Sequence, residues 1–298
     1  MTLEDIIKTL RTPHDVVPKA ALRAAVPHAD AMAPRLWDLN ARFCRGIKLL
    51  PEDEHELFYG LHVLAAAKYL PLWSHLVDLA RVEPHELEEF FADHAPISLA
   101  AMMLSVWDGD IDRLLRLIEH ADLSDNAKWA LFDVLARLTA EGRVPRETTH
   151  TFLERYERDS LADPDSGLWC GWLSAVTCLG LTDLVPAIDR VLAKPACEIF
   201  NDRDRAEQRE ELRSAAAKPG DLALFDRDGI APVTDPADAL AWIGRRREYL
   251  QPRERPKAVR TPSRRTAPTT PRATSASLPK KCIGCVCSSY RGRCRRRR

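Results

Sequence analysis

Four cysteines crowd the C-terminal end of the chain, Cys282, Cys285, Cys287 and Cys294, within 13 positions. Four thiolates this close supply the tetrahedral soft-ligand set that Zn²⁺ favours, and the lysines and arginines around them lower the thiol pKa values and help the thiolates form. The spacing therefore points to a zinc knuckle over residues 282–298 with those four cysteines as ligands. Against it stand the tight Cys-x-Cys step, the lack of a histidine and the near absence of apolar support. Free reactive thiols on an unstructured end are the competing reading, and a shifted reading frame at this Arg-rich end is a third.

The other residues able to do chemistry have plainer explanations. Cys44, Cys170, Cys178 and Cys197 are scattered among Leu, Val and Trp, as in GLWCGWLSAVTCLG, where a thiol behaves as a small buried hydrophobe. His85, Glu86 and His94 stand in HELEEFFADH, which lacks the i, i+4 histidine pair of a metal-binding helix and reads as an exposed acidic helix running into a turn. Asp108-Gly109-Asp110 has the oxygens to chelate a cation, but a glycine that ends one helix and an aspartate that caps the next account for the same residues. His55 and His62 lie two turns apart on one helix face and fit a core better than a ligand pair. No Gly-rich phosphate loop, GxSxG elbow or Cys/His dyad occurs, so the balance falls against an enzyme.

Charge divides the chain in two. From Arg245 onward lie 18 of the 44 basic residues and 2 of the 44 acidic ones, so a net charge of zero conceals −16 before that point and +16 after it. A basic arm of this kind either meets an anionic partner or folds back on its own acidic body. Residues 251–281 are dominated by Pro, Arg, Thr and Ser, which cannot bury enough apolar surface to offset the entropy of ordering, and the expectation is a disordered linker.

The elements needed to position any of these groups are helices. Leu57, Leu61 and Leu64 recur on one face with Lys68 at its edge, and Ile111, Leu114, Leu115 and Ile118 recur opposite Asp112, Arg113, Arg116 and Glu119. The helices come in pairs, the second of each beginning at Pro71, Asp110, Pro145 and Thr182, at separations of 39, 35 and 37 residues. Two such helices cannot cover their own apolar faces, so successive hairpins must stack. The expectation is an all-α protein, an α-solenoid of stacked hairpins over residues 1–250, followed by the disordered basic tail. The opening MTLEDIIKTLRT reads as an amphipathic helix rather than a secretory signal. No apolar run approaches the roughly 18 residues of a membrane span, so a cytoplasmic protein without one is expected.

The segments FYGLHVLAAAKYLPLW, WDGDIDRLLRLIE and ALFDVLARLTAEGRVPRET resemble the bacterial family called domain of unknown function 1186, over a core of about residues 54–194. The resemblance implies a HEAT-like helical-hairpin fold and supplies no activity and no catalytic residue. Members of that family often end in a zinc-binding SEC-C motif of the pattern CPCGSGKKYKKCC. Here KKCIGCVCSSYRGRCRRRR aligns Cys285, Cys287 and Cys294 with it, but lacks the Gly-Ser-Gly and carries Arg295 in place of the last ligand, with Cys282 as a substitute. The function expected is a non-enzymatic scaffold that holds a protein partner in a groove lined by the second helices, with the basic tail as an accessory arm. The alternative is nucleic-acid or ribosome association through the Arg-rich tail.

Overall fold

The computed structural model describes residues 1–12, 16–120 and 122–243, and these are helical, with no strand among them. The linker at 251–281 and the tail at 282–298, with Cys282, Cys285, Cys287 and Cys294, lie outside the described residues.

The chain opens with α1 (Leu3–Arg11), α2 (Lys19–Ala25) and α3 (Ala29–Phe43). Hairpins follow: α4 (Pro51–Ala66) with α5 (Leu72–Leu79), then α6 (Pro84–Phe91) leading into α7 (Ala95–Val106) with α8 (Ile111–Glu119). Next come α9 (Asp125–Ala140) with α10 (Arg146–Arg158), α11 (Leu168–Leu179) with α12 (Val185–Leu192), and α13 (Asp202–Ala217). Pro71, Asp110 and Pro145 are the N-cap residues of α5, α8 and α10, and Thr182 opens the short 3₁₀ turn that leads into α12. Asp110 caps α8 by accepting a bond from the Arg113 N–H (2.8 Å), one of the four donors that a helix start leaves unpaired.

The first helices of the hairpins form the spine, with α4 on α7, α7 on α9, α9 on α11 and α11 on α13. Their sequences require this. Nearly every residue of α7, α9 and α11 is buried, so each of these helices must be covered on all sides. The second helices bury only a stripe, such as Leu114, Leu117 and Ile118 in α8, and turn their charges outward. Leu115, which the periodicity placed inward, is only partly buried and packs at the edge of the core. Close approach within the spine depends on Gly180, which ends α11 at φ +63°; a Cβ there would lie 2.3 Å from the Ala216 backbone nitrogen of α13. The polar outer face of α13 ends the stack.

Residues 221–243 add no further hairpin. They contain two short helices, α14 (Ala223–Arg227) and α15 (Pro236–Ala239), and run back over the spine as a strap. Gly220 lies against the Ala140 carbonyl at the end of α9, Gly229 against Ile97 of α7, and the Val233 N–H donates to Ser105 Oγ of α7 (2.7 Å). The strap then reaches α2 and α4, where α15 packs. Phe225, Ile230, Val233, Ala237 and Leu240 are buried beneath it. This segment reads as turn-rich, with PGD, RDG, APV and TDP, and has no helical stretch long enough to signal a hairpin. Its apolar anchors cover the side of the first helices that the second helices leave open.

Replacing Asp110 with Ala should cost about 1 kcal/mol by removing the α8 cap, whereas Arg116→Ala should stay within about 0.5 kcal/mol as a surface change. Urea midpoints for the two variants test this, and equal shifts would contradict the capping role.

Candidate functional site

The histidines and acids that the sequence singled out do not converge. His62 is buried in α4, its Nδ1–H donating to the Phe58 carbonyl (2.8 Å) among the Phe58 and Phe91 rings. His55 stacks on Tyr59 instead. Glu88 accepts a bond from Asn126 (3.2 Å), and His94 stacks on Trp242 of the strap, with ring centroids 4.2 Å apart and planes 10° from parallel. Asp108 accepts from the Asp110 N–H (3.0 Å) and pairs with Arg113 (3.2 Å), as a capped turn would. Among the described residues no three His, Cys, Asp or Glu side chains lie close enough to hold a metal ion.

What sequence reasoning missed are contacts between elements far apart in the chain. Asp53 and Glu56 are buried side by side at the start of α4 and share Arg11 (3.0 Å to each) and Arg35 (2.6 Å to Asp53). Burial pushes the Glu56 carboxyl up despite these arginines, and the cluster fastens α1 and α3 to α4. Arg137 in the middle of the spine is 6% exposed. Its guanidinium donates to Glu141 (2.7 Å), to Asp226 (2.6 Å) and to the Ile230 carbonyl (3.0 Å), clamping the strap to α9. At the far end Arg23 of α2 donates to Asp235 (2.6 Å) and Asp238 (3.3 Å). The strap is thus an acidic segment fixed by two arginines and by the apolar residues between them.

The second helices present the opposite kind of surface. Glu119 of α8 pairs with Arg155 of α10, Glu157 of α10 takes a two-pronged bond from Arg190 of α12 (2.9 and 2.5 Å), and Asp189 of α12 pairs with Arg209 of α13 (2.9 Å). These pairs bridge successive hairpins, and Arg116, Glu147 and Glu154 stand exposed beside them.

Among the described residues, reactive groups line a cavity where α9, α11 and α13 meet the start of the strap. A cavity of about 40 Å³ is lined there by Trp129, Cys170, Ser174, Cys178 and Gln208, with the Arg227 and Asp228 pair at its edge. Gln208 is 2% exposed, and its Oε1 has no hydrogen-bond partner among the described residues, although its amide donates to Thr177 (3.3 Å). At roughly 10–15 Å³ per water a cavity of this size has room for a few waters, well below the roughly 300–1,000 Å³ of an organic-ligand site. Beside it the Cys170 thiol hydrogen-bonds Cys197, which lies in the 3₁₀ turn Pro195–Cys197. None of the four described cysteines is in a disulfide, and Cys170, Cys178 and Cys197 are buried, as the sequence suggested, while Cys44 is half-buried. Their neighbours differ, however. Burial, with Asp133 and Asp228, pushes the Cys178 thiol well up, whereas the bond from Cys170, with Arg205 and Lys194 nearby, holds Cys197 below the usual thiol value against the effect of burial.

The family model described as Protein of unknown function (DUF1186) matches residues 1–212. That match takes in the spine from α1 into α13 and ends before the strap. No curated protein and no solved structure matches the chain.

Proposed function

The chain belongs to the DUF1186 family, and we propose that it is a non-enzymatic cytoplasmic scaffold, a HEAT-like stack that holds a protein partner against its second helices. No helix among the described residues is long and apolar enough to cross a membrane. The observation that carries the proposal is the strap. Burying Phe225, Ile230, Val233 and Leu240 contributes about 1.5–3 kcal/mol per side chain, so a partner competing for the first-helix face would have to overcome roughly 6–12 kcal/mol. The extended surface left open is that of α8, α10 and α12, whose cross-hairpin ion pairs hold the spacing of the charges they display. Buried apolar helices on one side and ordered charges on the other suit recognition, where charge pattern selects the partner and sets its approach.

The basic tail belongs to the proposal as an accessory arm, with Cys282, Cys285, Cys287 and Cys294 as a SEC-C-like zinc site. One zinc per chain, lost on Cys285→Ser, is the expected metal content. The charge division supports a second reading, in which the arm from Arg245 onward binds RNA. Pull-down from the native cytoplasm separates the two. The scaffold reading expects a protein retained by a chain ending at residue 243 and lost from an Arg116→Glu, Glu154→Arg double variant. Retention of RNA that vanishes on removing the tail, with a log–log salt slope of about −0.7 per phosphate contact, would favour the arm instead.

A further inference from the structure

We propose that α1 is a self-association surface, through which two copies of this chain pair about a two-fold axis. An open groove of about 920 Å³ runs along its outer side, with Leu3, Glu4, Ile7, Lys8, Arg11 and Glu52 on its walls. Ile6 and Leu10 of α1 are buried against the rest of the fold, whereas Leu3 and Ile7, in the next row, are only half covered by it. Positions 3, 7 and 11 and positions 4, 8 and 12 are neighbouring rows on a helix, so the apolar row is bordered by a charged one. Three large apolar side chains are more than half exposed in the segments that run into this groove: Met1, two residues before Leu3; Val16, just beyond α1; and Leu50, two residues before Glu52. At the other end of the stack α13 exposes Arg203, Glu207, Glu210 and Arg213 instead. Apolar surface gathered at one end in this way marks a contact site.

The charges beside the groove select a second copy as its occupant. Glu4 and Lys8 are both exposed and stand one turn apart in the charged row, the acid toward the N-terminus and the base toward the C-terminus. When α1 lies antiparallel on a second α1, with the two-fold axis at the level of Ile6, each Glu4 comes opposite the second copy's Lys8. The two Ile7 side chains, one residue from the axis, then meet at the centre of the contact. A parallel arrangement would instead set Glu4 on Glu4 and Lys8 on Lys8. The surface is thus complementary to itself in one orientation, as an isologous contact requires.

The helix is held ready for such a contact at both ends. A reciprocal cap between Thr2 and Asp5 closes its first turn, and Arg11, bound to Asp53 and Glu56 (3.0 Å to each), fastens its last turn to α4. Little ordering therefore remains to be done when two copies meet. α1 packs on α2 and α4, several helices along the stack from α10 and α12. Pairing through α1 covers Leu3 and Ile7 and leaves the second helices of both copies open, so that one dimer presents two partner surfaces at a fixed spacing.

The test is the mass of the full-length chain in solution, by sedimentation equilibrium from about 1 to 100 μM. A reducing agent keeps the tail thiols from cross-linking, and circular dichroism checks that each variant is folded. A monomer–dimer equilibrium is expected. Glu4→Lys or Lys8→Glu alone sets like charges against each other at two symmetry-related points and should weaken dimerisation at least about tenfold. The Glu4→Lys, Lys8→Glu double variant restores both pairs and should recover the dimer to within about threefold of the wild type. A merely structural role for these residues predicts no such recovery, since the double variant sets both charges against the helix dipole. A chain monomeric throughout, a dimer indifferent to the single variants, or single-variant losses that add in the double variant would each overturn the proposal. So would a monomer whose groove takes up the apolar dye anilinonaphthalene sulfonate and loses it on Ile7→Glu, which would assign the groove to a small apolar ligand.

Discussion

Replacing Arg137 with methionine is expected to cost about 3 kcal/mol and to release the strap before the spine unfolds. The guanidinium makes three bonds, to Glu141, Asp226 and the Ile230 carbonyl, and methionine keeps its aliphatic volume while removing all three. Breaking a buried ion pair from one side costs about 3–5 kcal/mol, most of it the desolvation of the charge left behind. The lower end of that range applies because the Asp226 side chain is 60% exposed and can rehydrate, whereas Glu141 at 19% cannot do so fully. Hydrogen exchange would show the loss concentrated in residues 221–243, with α9 and α11 still protected. Asp226→Asn should cost less than about 1 kcal/mol, as expected for an exposed partner. Loss of protection spread evenly over spine and strap would show that the strap is not a separable layer.

The spine was legible in the sequence because it is written in local signals. Pro71, Asp110 and Pro145 are helix starts whose chemistry acts within one turn, and all three are N-caps in the structure. Gly180 likewise adopts the left-handed conformation that a helix stop requires. The inward residues of α8 were legible to within one position, since periodicity resolves a face but not its edge, and Leu115 lies at that edge. The strap was not legible. Its anchors, Phe225, Ile230, Val233 and Leu240, follow no helical period, and the partner of Asp226 is 89 residues away. Cys282, Cys285, Cys287 and Cys294 present the opposite case, a dense sequence signal at residues outside those the structure describes.

Acidification from pH 6.5 to pH 4 is expected to lower stability by about 3 kcal/mol through His62 alone. Burial among Phe58 and Phe91 holds its pKa down to about 4, against an ordinary value of about 6.5, because desolvation disfavours the imidazolium by more than the bond to the Phe58 carbonyl favours it. Above about pH 6.5 the ring is neutral in both folded and unfolded chains and contributes no pH dependence. Between the two values the unfolded chain binds a proton that the folded chain refuses, so stability falls by about 1.4 kcal/mol per pH unit until the folded pKa is reached. His75, lowered by its own burial, bends the curve in the same direction, while Glu56, raised by burial, bends it the other way, so the whole-chain profile does not isolate His62. The difference between wild type and His62→Leu does. Leucine leaves the Phe58 carbonyl, which already accepts in the helix, without its extra donor, and gives a fixed offset at every pH. Urea unfolding at pH 7.5, 6 and 5 should therefore show wild type losing stability faster than the variant, with the gap narrowing as pH falls. Parallel curves would mean that His62 takes its proton in the folded chain as readily as in the unfolded one, which requires water to reach the middle of α4 and a looser contact with α6 than the Phe58 and His62 rings make with Phe91.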